Sequence, residues 1–282
     1  VGARLILSIR AVVLAVVATM AVVVGIRMQN VLADNGETIA AETARHWSSI
    51  IDADIEVPLD EARSLGRVFE SMINSPEVTV PREQADAMLK YFIEDYEEIL
   101  GVYVAFEPDA FDGLDGEYAD TFGHDETGRY IPYWTRDSTG AGVVEALLSY
   151  EVAGDGDYYQ LPKTRNRECI IDPYLYPVQG VEVMITSLVV PVRDNNGSFR
   201  GIAGIDLSLD AFQGMVSGIE IHGFPSAYVS FYSAAGTVLA SKNTAIMGKT
   251  IDELVYEPEF MDALVSNGEF YVARHSNLLD KP

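Results

Sequence analysis

Between Glu182 and Leu209 the chain reads EVMITSLVVPV, RDNNGS, FRGIAGIDLSL: two β-branched runs joined through Asn196-Gly197. No other stretch limits the fold so strongly. Asn-Gly accepts the positive φ angles that a tight turn demands, so the two runs form an antiparallel hairpin. Successive strand residues point to opposite faces. Ala203, Ile205, Leu207 and Leu209 therefore share one face, and Gly204, Asp206 and Ser208 share the other. The first face is core. The second opens space beside a glycine and presents one carboxylate. An unpaired buried carboxylate is costly, so Asp206 either caps a nearby strand-end amide or needs a donor, a cation or water.

Two further runs have strand composition, GVYVAF (101–106) and RYIPYWTR (129–136), each bounded by turn residues. Helical periodicity precedes them. From about 31 to 73, Ile39, Ala44, Trp47, Ile51 and Ile55 recur at three- and four-residue steps, with Pro58 expected to kink or divide the helix. A second helix is expected at 82–97, with Thr79 as its cap and Pro81 near its first turn. Helices followed by antiparallel strands indicate an α+β domain. Residues 226–240 start another strand–turn–strand pattern, so a second, smaller module is expected from about 220, stopping before completion at 282.

Residues 11–26, AVVLAVVATMAVVVGI, are almost wholly apolar. With LILSIR upstream, residues 5–27 are long enough to cross a bilayer core of about 30 Å as a helix. Arg4 and Arg10 precede the run and acidic residues follow Arg27, which places the N-terminal side in the cytoplasm and everything from about 30 onward outside. The alternative is a cleaved signal peptide ending near VLA, before Asp34. Both readings export the rest of the chain. Its formal charge of −24, from 43 acidic and 19 basic residues, repels phosphates and argues against nucleic-acid binding. The single Cys169 allows no internal disulfide and reads as a small buried thiol.

Nucleophile elbows, P-loops, dinucleotide fingerprints and zinc-helix motifs are absent, and the four histidines are scattered. No catalytic residue, metal ligand or cofactor is assigned. The acidic loop 109–120, DAFDGLDGEYAD, lacks EF-hand spacing; it is either solvated or a calcium site built on Asp112, Asp115 and Glu117. The middle of the chain is rich in aromatics: Tyr133 and Trp134, Tyr158 and Tyr159, Tyr174 and Tyr176. Rings around a carboxylate suit an ammonium group through cation–π attraction plus a charged hydrogen bond, but large rings also fill cores.

Taken in order, LGVYVAFEPDAFDG, GRYIPYWTRD, DYYQLPK, DPYLYPVQGVEVMITSLVVPV and FRGIAGIDLSLD resemble the double Cache sensor domains of bacterial and archaeal chemoreceptors and sensor histidine kinases. AGTVLASKN with MGKTIDEL resembles that family's second module. The resemblance covers about residues 5–282. It implies a transmembrane helix (5–27), a long stalk helix (31–73), a membrane-distal ligand-binding module (74–219) and a membrane-proximal one (220–282), both PAS-like with antiparallel sheets. It also implies a homodimer through the stalk and a small extracellular ligand. Carried over by position, Asp206 matches the aspartate that holds a ligand amino group, and Tyr174 a tyrosine near it. Tyr133-Trp134 sit where the family motif has Trp-Tyr. The motif's carboxylate-clamping arginine falls on Ile131, and its acidic residue two after PY on Tyr176. A standard α-amino acid is therefore disfavoured, and an amine or other small nitrogenous compound is expected. Arg129, Lys163 or Arg165 is left to clamp an anion, which keeps an organic-anion sensor of the same fold as an alternative. The expected site is Asp206 with Tyr133, Trp134, Tyr158, Tyr159, Tyr174, Tyr176 and Arg129. The rival from another class is an exported hydrolase using Glu107 with an acidic residue of 109–120.

Overall fold

The computed structural model describes residues 2–254 apart from 76, 78, 222–228 and 234; for 2–19, 21–34, 37 and 215 it describes the backbone alone. It divides into two compact units, Val1–Ile50 with Glu269–Pro282, and Ile51–Gly268. Helix α1 runs Gly2–Asn74 with Pro58 inside it. The proline does not divide the helix as expected. Pro58 cannot donate to the carbonyl four residues back, but Leu59, Ala62, Leu65 and Phe69 are buried at helical spacing just beyond it. That apolar stripe holds the helix across the missing bond. Apart from Met20, the apolar stretch 5–27 lies outside the described side chains. Among the described residues no helix is long and apolar enough to cross a membrane.

The unit Ile51–Gly268 is α+β. Its main sheet is antiparallel, in the order β3 (Gly142–Ala146), β2 (Pro132–Arg136), β1 (Gly101–Phe106), β7 (Phe199–Ser208), β6 (Val181–Arg193), β4 (Cys169–Ile170), with β5 (Tyr174–Val178) also pairing with β6. The β6–β7 hairpin forms as the Asn-Gly signal predicts. Gly197 has φ +79° and its N–H bonds the Asp194 carbonyl, while the Asp194 carboxylate accepts the amides of Asn196 and Ser198. Helix α2 (Arg82–Asp95) follows Pro81, whose carbonyl accepts the amides of Gln84 and Ala85; Thr79 is not the cap, and a single turn, α3 (Asp115–Tyr118), lies between β1 and β2.

Both faces of the sheet are covered. On one lie α1 and α2, with Ala85, Leu89 and Ile93 of α2 packed against Val102, Val104, Leu188, Val190, Ala203, Ile205 and Leu207. This is the core face read from the GIAGIDLSL parity. Gly66 lets α1 approach closely: a Cβ there would stand 2.8 Å from Val190. The other face carries helix α4 (Asp157–Arg165), the segment before it and the β5 strand. After β7 come α5 (Leu209–Ser217) and a two-stranded sheet of β8 (Ser230–Tyr232) and β9 (Val238–Ser241). Residues 255–282 of the expected second module lie outside the described residues.

Candidate functional site

The sheet face away from α1 and α2 is built around a glycine-and-tyrosine register. Gly101 pairs with Asp206 and Tyr103 with Gly204 across β1–β7, while Tyr103 pairs with Tyr133 and Gly101 with Thr135 across β1–β2. The glycines are required. A Cβ on Gly204 would stand 2.2 Å from the Tyr103 ring, and one on Gly101 would stand 2.4 Å from the Tyr133 ring. Two aromatic rings therefore lie flat across two bare backbone positions, next to the buried carboxylate on this face.

That carboxylate is Asp206. It is fully buried beside Ser187, its cross-strand partner on β6, whose Oγ donates to Oδ1 at 2.6 Å. Tyr174 Oη lies 2.8 Å from the same Ser187 Oγ, so a short relay links the tyrosine to the acid. Among the described residues no cation lies within ion-pair distance of Asp206. Burial pushes its carboxyl up to about 7, against the opposing pull of Ser187 and Tyr133. The Tyr133 hydroxyl is close enough to Asp206 to be felt there, yet it makes no hydrogen bond of ordinary geometry. Among the described residues, Tyr103 and Tyr133 each keep a buried hydroxyl without a partner. Buried hydroxyls are normally satisfied, and each orphan costs about 1–3 kcal/mol. A fold that keeps two of them beside a buried acid with no ion-pair partner among the described residues holds donors and an acceptor that a guest can use.

Rings pack around these groups. Tyr103 meets Tyr133 and Tyr158 edge-on, each at 5.8 Å between centroids, and Tyr176 meets Tyr133 edge-on at 5.5 Å. Tyr158 stacks parallel to Tyr174 at 6.4 Å. The segment before α4 is tied down from within the cage: Tyr158 Oη donates to the Leu148 carbonyl and Tyr176 Oη accepts from the Leu148 amide. Ile131, where the family's arginine would stand, is fully buried in the same apolar cluster. Nothing there would hold a carboxylate.

Of the expected site residues the structure thus gathers Asp206, Tyr133, Tyr158, Tyr174 and Tyr176. It separates the other three. Trp134 follows Tyr133 on a strand and so faces the helices, where its Nε1 approaches Asp86 Oδ1 at 3.5 Å beside the Tyr130 hydroxyl. Tyr159 follows Tyr158 on a helix and points elsewhere, accepting from Arg129 at 2.8 Å and donating to Glu107. Arg129 is spent: it donates to the Phe106 carbonyl, to Glu151 and to Tyr159, and lies 4.6 Å above the Tyr150 ring. Because Arg129 holds Phe106 and Asp206 sits opposite Gly101, the two are at opposite ends of β1, about 16 Å apart at strand rise. Two residues of the cage escape sequence reading altogether, Tyr103 and Ser187.

The acidic loop is neither solvated throughout nor built for calcium. Asp112 and Asp115 are the partners of the buried Arg82, at 2.8 and 2.7 Å, and Arg82 also donates to the Gly128 carbonyl. Among the described residues no group of three metal-type ligands exists. Glu107 accepts from Lys163 at 2.6 Å and from Tyr159. Burial raises its pKa, but bonds from Lys163 and Tyr159 outweigh that and hold it below the usual value, so it is ionised and a poor proton donor at neutral pH.

A family model described as methyl-accepting chemotaxis protein-like, first PDC sensor domain, matches residues 85–214. That span carries the whole main sheet and every cage residue. The chemoreceptor TlpQ of Pseudomonas aeruginosa is 28% identical over 145 residues, 48% of this chain; the match spans 20% of that receptor's length. The extracellular domain of the histidine kinase mmHK1S-Z3 is 33% identical with a TM-score of 0.68, covering 77% of this chain and 76% of that one. Methyl-accepting chemotaxis protein X is 26% identical with a TM-score of 0.64, covering 82% and 84%. The shared fold and sequence over that span place this chain in the Cache-type (PDC) family of extracytoplasmic ligand-sensing domains of chemoreceptors and sensor histidine kinases.

Proposed function

We propose that this sensor domain recognises a small cationic amine, with Asp206 as its anchor and Tyr103, Tyr133, Tyr158, Tyr174 and Tyr176 as its walls. The observation that carries the reading is a buried acid that, among the described residues, pairs with no cation and stands beside two buried hydroxyls without a partner. An ammonium group entering there gains a charge-assisted hydrogen bond to Asp206 and the faces of electron-rich rings. The apolar Ile131 and the distant, occupied Arg129 leave a ligand carboxylate without a clamp, which favours amines over α-amino acids and organic anions. Glu107, ionised and tied to Lys163, gives the hydrolase reading no acid–base pair.

In this reading the apolar stretch 5–27 anchors the chain in the membrane, and residues from about 30 onward are outside. The distal module senses, the strands beyond 220 begin a proximal module, and α1 carries the response inward within a dimer. A ligand drives that response only by binding one state more tightly than the other. Thermal-shift and calorimetric titration of the purified chain against amines, amino acids and organic acids test the reading. Amines alone raise the melting temperature, and Asp206→Asn abolishes the rise. Stabilisation by acids, or by amines in both proteins alike, defeats it.

A further inference from the structure

We propose that the outer edge of strand β3 is a docking site for a partner protein, taking an extended, basic segment that adds to the sheet as a further strand. This does not rest on the amine reading. β3 ends the main sheet, with β2 on one side only. The Asp137 amide bonds the Ala141 carbonyl, and the Leu147 amide bonds the Ile131 carbonyl. An antiparallel ladder alternates, so Val143 and Glu145 turn their backbone groups to β2, while Gly142, Val144 and Ala146 turn theirs outward. Glu94 Oε1 takes the Gly142 amide at 3.0 Å. Among the described residues nothing bonds the backbone N–H or C=O of Val144 or Ala146.

The opposite end of the sheet is closed. Along β6, the Ser187 carbonyl receives the Ile171 amide and Pro191 has no N–H to offer. The Arg193 amide donates to Glu70, and its carbonyl accepts from the Asn74 side chain. Such devices keep a sheet edge from pairing with other chains. The β3 edge has no proline, lysine or bulge. Exposed apolar side chains flank it instead. Tyr91 follows Lys90, whose stem packs at Gly142; Phe122 precedes Gly123, which lies against Val144; Val181 is two residues past Gln179, whose amide bonds Glu145. These three are 69%, 87% and 64% exposed.

Charge selects the occupant. Glu94 meets Lys90 of its own helix at 3.6 Å, and among the described residues Glu145 pairs with no cation. A second copy of this chain, at −24, would bring the same acids against each other. A segment with an apolar residue opposite Val144 and Lys or Arg opposite Glu145 gains main-chain hydrogen bonds, cross-strand ion pairing and cover for Phe122.

The probe is the capped peptide Lys-Val-Lys-Val-Lys-Val-Lys, beside Lys-Pro-Lys-Pro-Lys-Pro-Lys, which has equal charge but cannot pair as a strand. Fluorescence anisotropy with the full chain reads affinity, and hydrogen–deuterium exchange reads location. The valine peptide should bind about tenfold more tightly than the proline peptide and slow exchange over residues 142–148 but not along β6. Val144→Pro removes an outward N–H without touching the bonds to β2, and should weaken binding about tenfold. Glu145→Gln leaves the strand intact, keeps an acceptor for the Gln179 amide, and should weaken it about threefold. Equal affinity for the two peptides, no binding of either, protection elsewhere, or unchanged binding to both variants overturns the inference. Sedimentation of the chain alone tests the second copy: self-association that Val144→Pro abolishes gives the edge to that copy and overturns the basic segment.

Discussion

Replacing Asp206 by Asn makes the empty protein more stable at alkaline pH. A carboxyl whose pKa is 3.8 in the unfolded chain and about 7 when folded binds its proton more tightly in the native state. Between those values the folded protein holds more protons than the unfolded one, so stability falls as pH rises through the window. The displacement corresponds to about 4 kcal/mol, fully felt above pH 7. Asn is isosteric, keeps an acceptor for Ser187 and carries no charge to bury. Urea denaturation of both proteins from pH 4 to pH 8.5 gives the difference directly, and titrating groups common to both cancel. The variant's advantage should be near zero at pH 4, grow through pH 5 and 6, and level off at roughly 2–4 kcal/mol by pH 8. A difference that does not change with pH, or a less stable variant at pH 8, refutes the claim that Asp206 is buried without a cation.

Tyr103→Phe and Tyr133→Phe each delete a buried hydroxyl without a partner. Each should leave stability unchanged or raise it by up to about 1 kcal/mol in denaturant while weakening amine affinity; a loss above 1 kcal/mol would show the hydroxyl to be bonded. Arg82→Ala strands two carboxylates in a site where Arg82 is 1% exposed. It should cost about 3–5 kcal/mol, read as a lowered urea midpoint, and a cost below 1 kcal/mol contradicts the buried pairing. Trp134→Phe should lower stability but change amine affinity less than threefold, because the indole faces α2; a tenfold loss would return Trp134 to the site.

Strands β1, β6 and β7 were legible because β-branched runs end at turn residues and the Asn196-Gly197 signal leaves one pairing. The half-buried edge strand β3 was not, since GVVEA is too short to show a period. Helix α4 was hidden by Pro162 inside it and by two adjacent tyrosines that break any apolar stripe. The site was half legible. Parity correctly separated Gly204 and Asp206 from the core-facing residues. The same rule, applied to Tyr133 and Trp134, forbids both from lining one pocket, and on helix α4 adjacent Tyr158 and Tyr159 diverge likewise. Tyr103 and Ser187 depend on cross-strand register, which sequence composition does not carry. Arg82 shows the same limit for charges: its two partners lie 30 and 33 residues away, in a loop that looks solvated.

The account stands most directly on where an amine sits. A crystal structure of the amine complex should place the ligand nitrogen within about 3 Å of an Asp206 carboxylate oxygen. The Tyr103 or Tyr133 hydroxyl, or the ring of Tyr158 or Tyr174, should lie against it. An amine held instead among Glu107, Glu151 and Tyr159, or in the cleft between α1 and the β6–β7 hairpin lined by Arg67, Glu70 and Asn195, contradicts it.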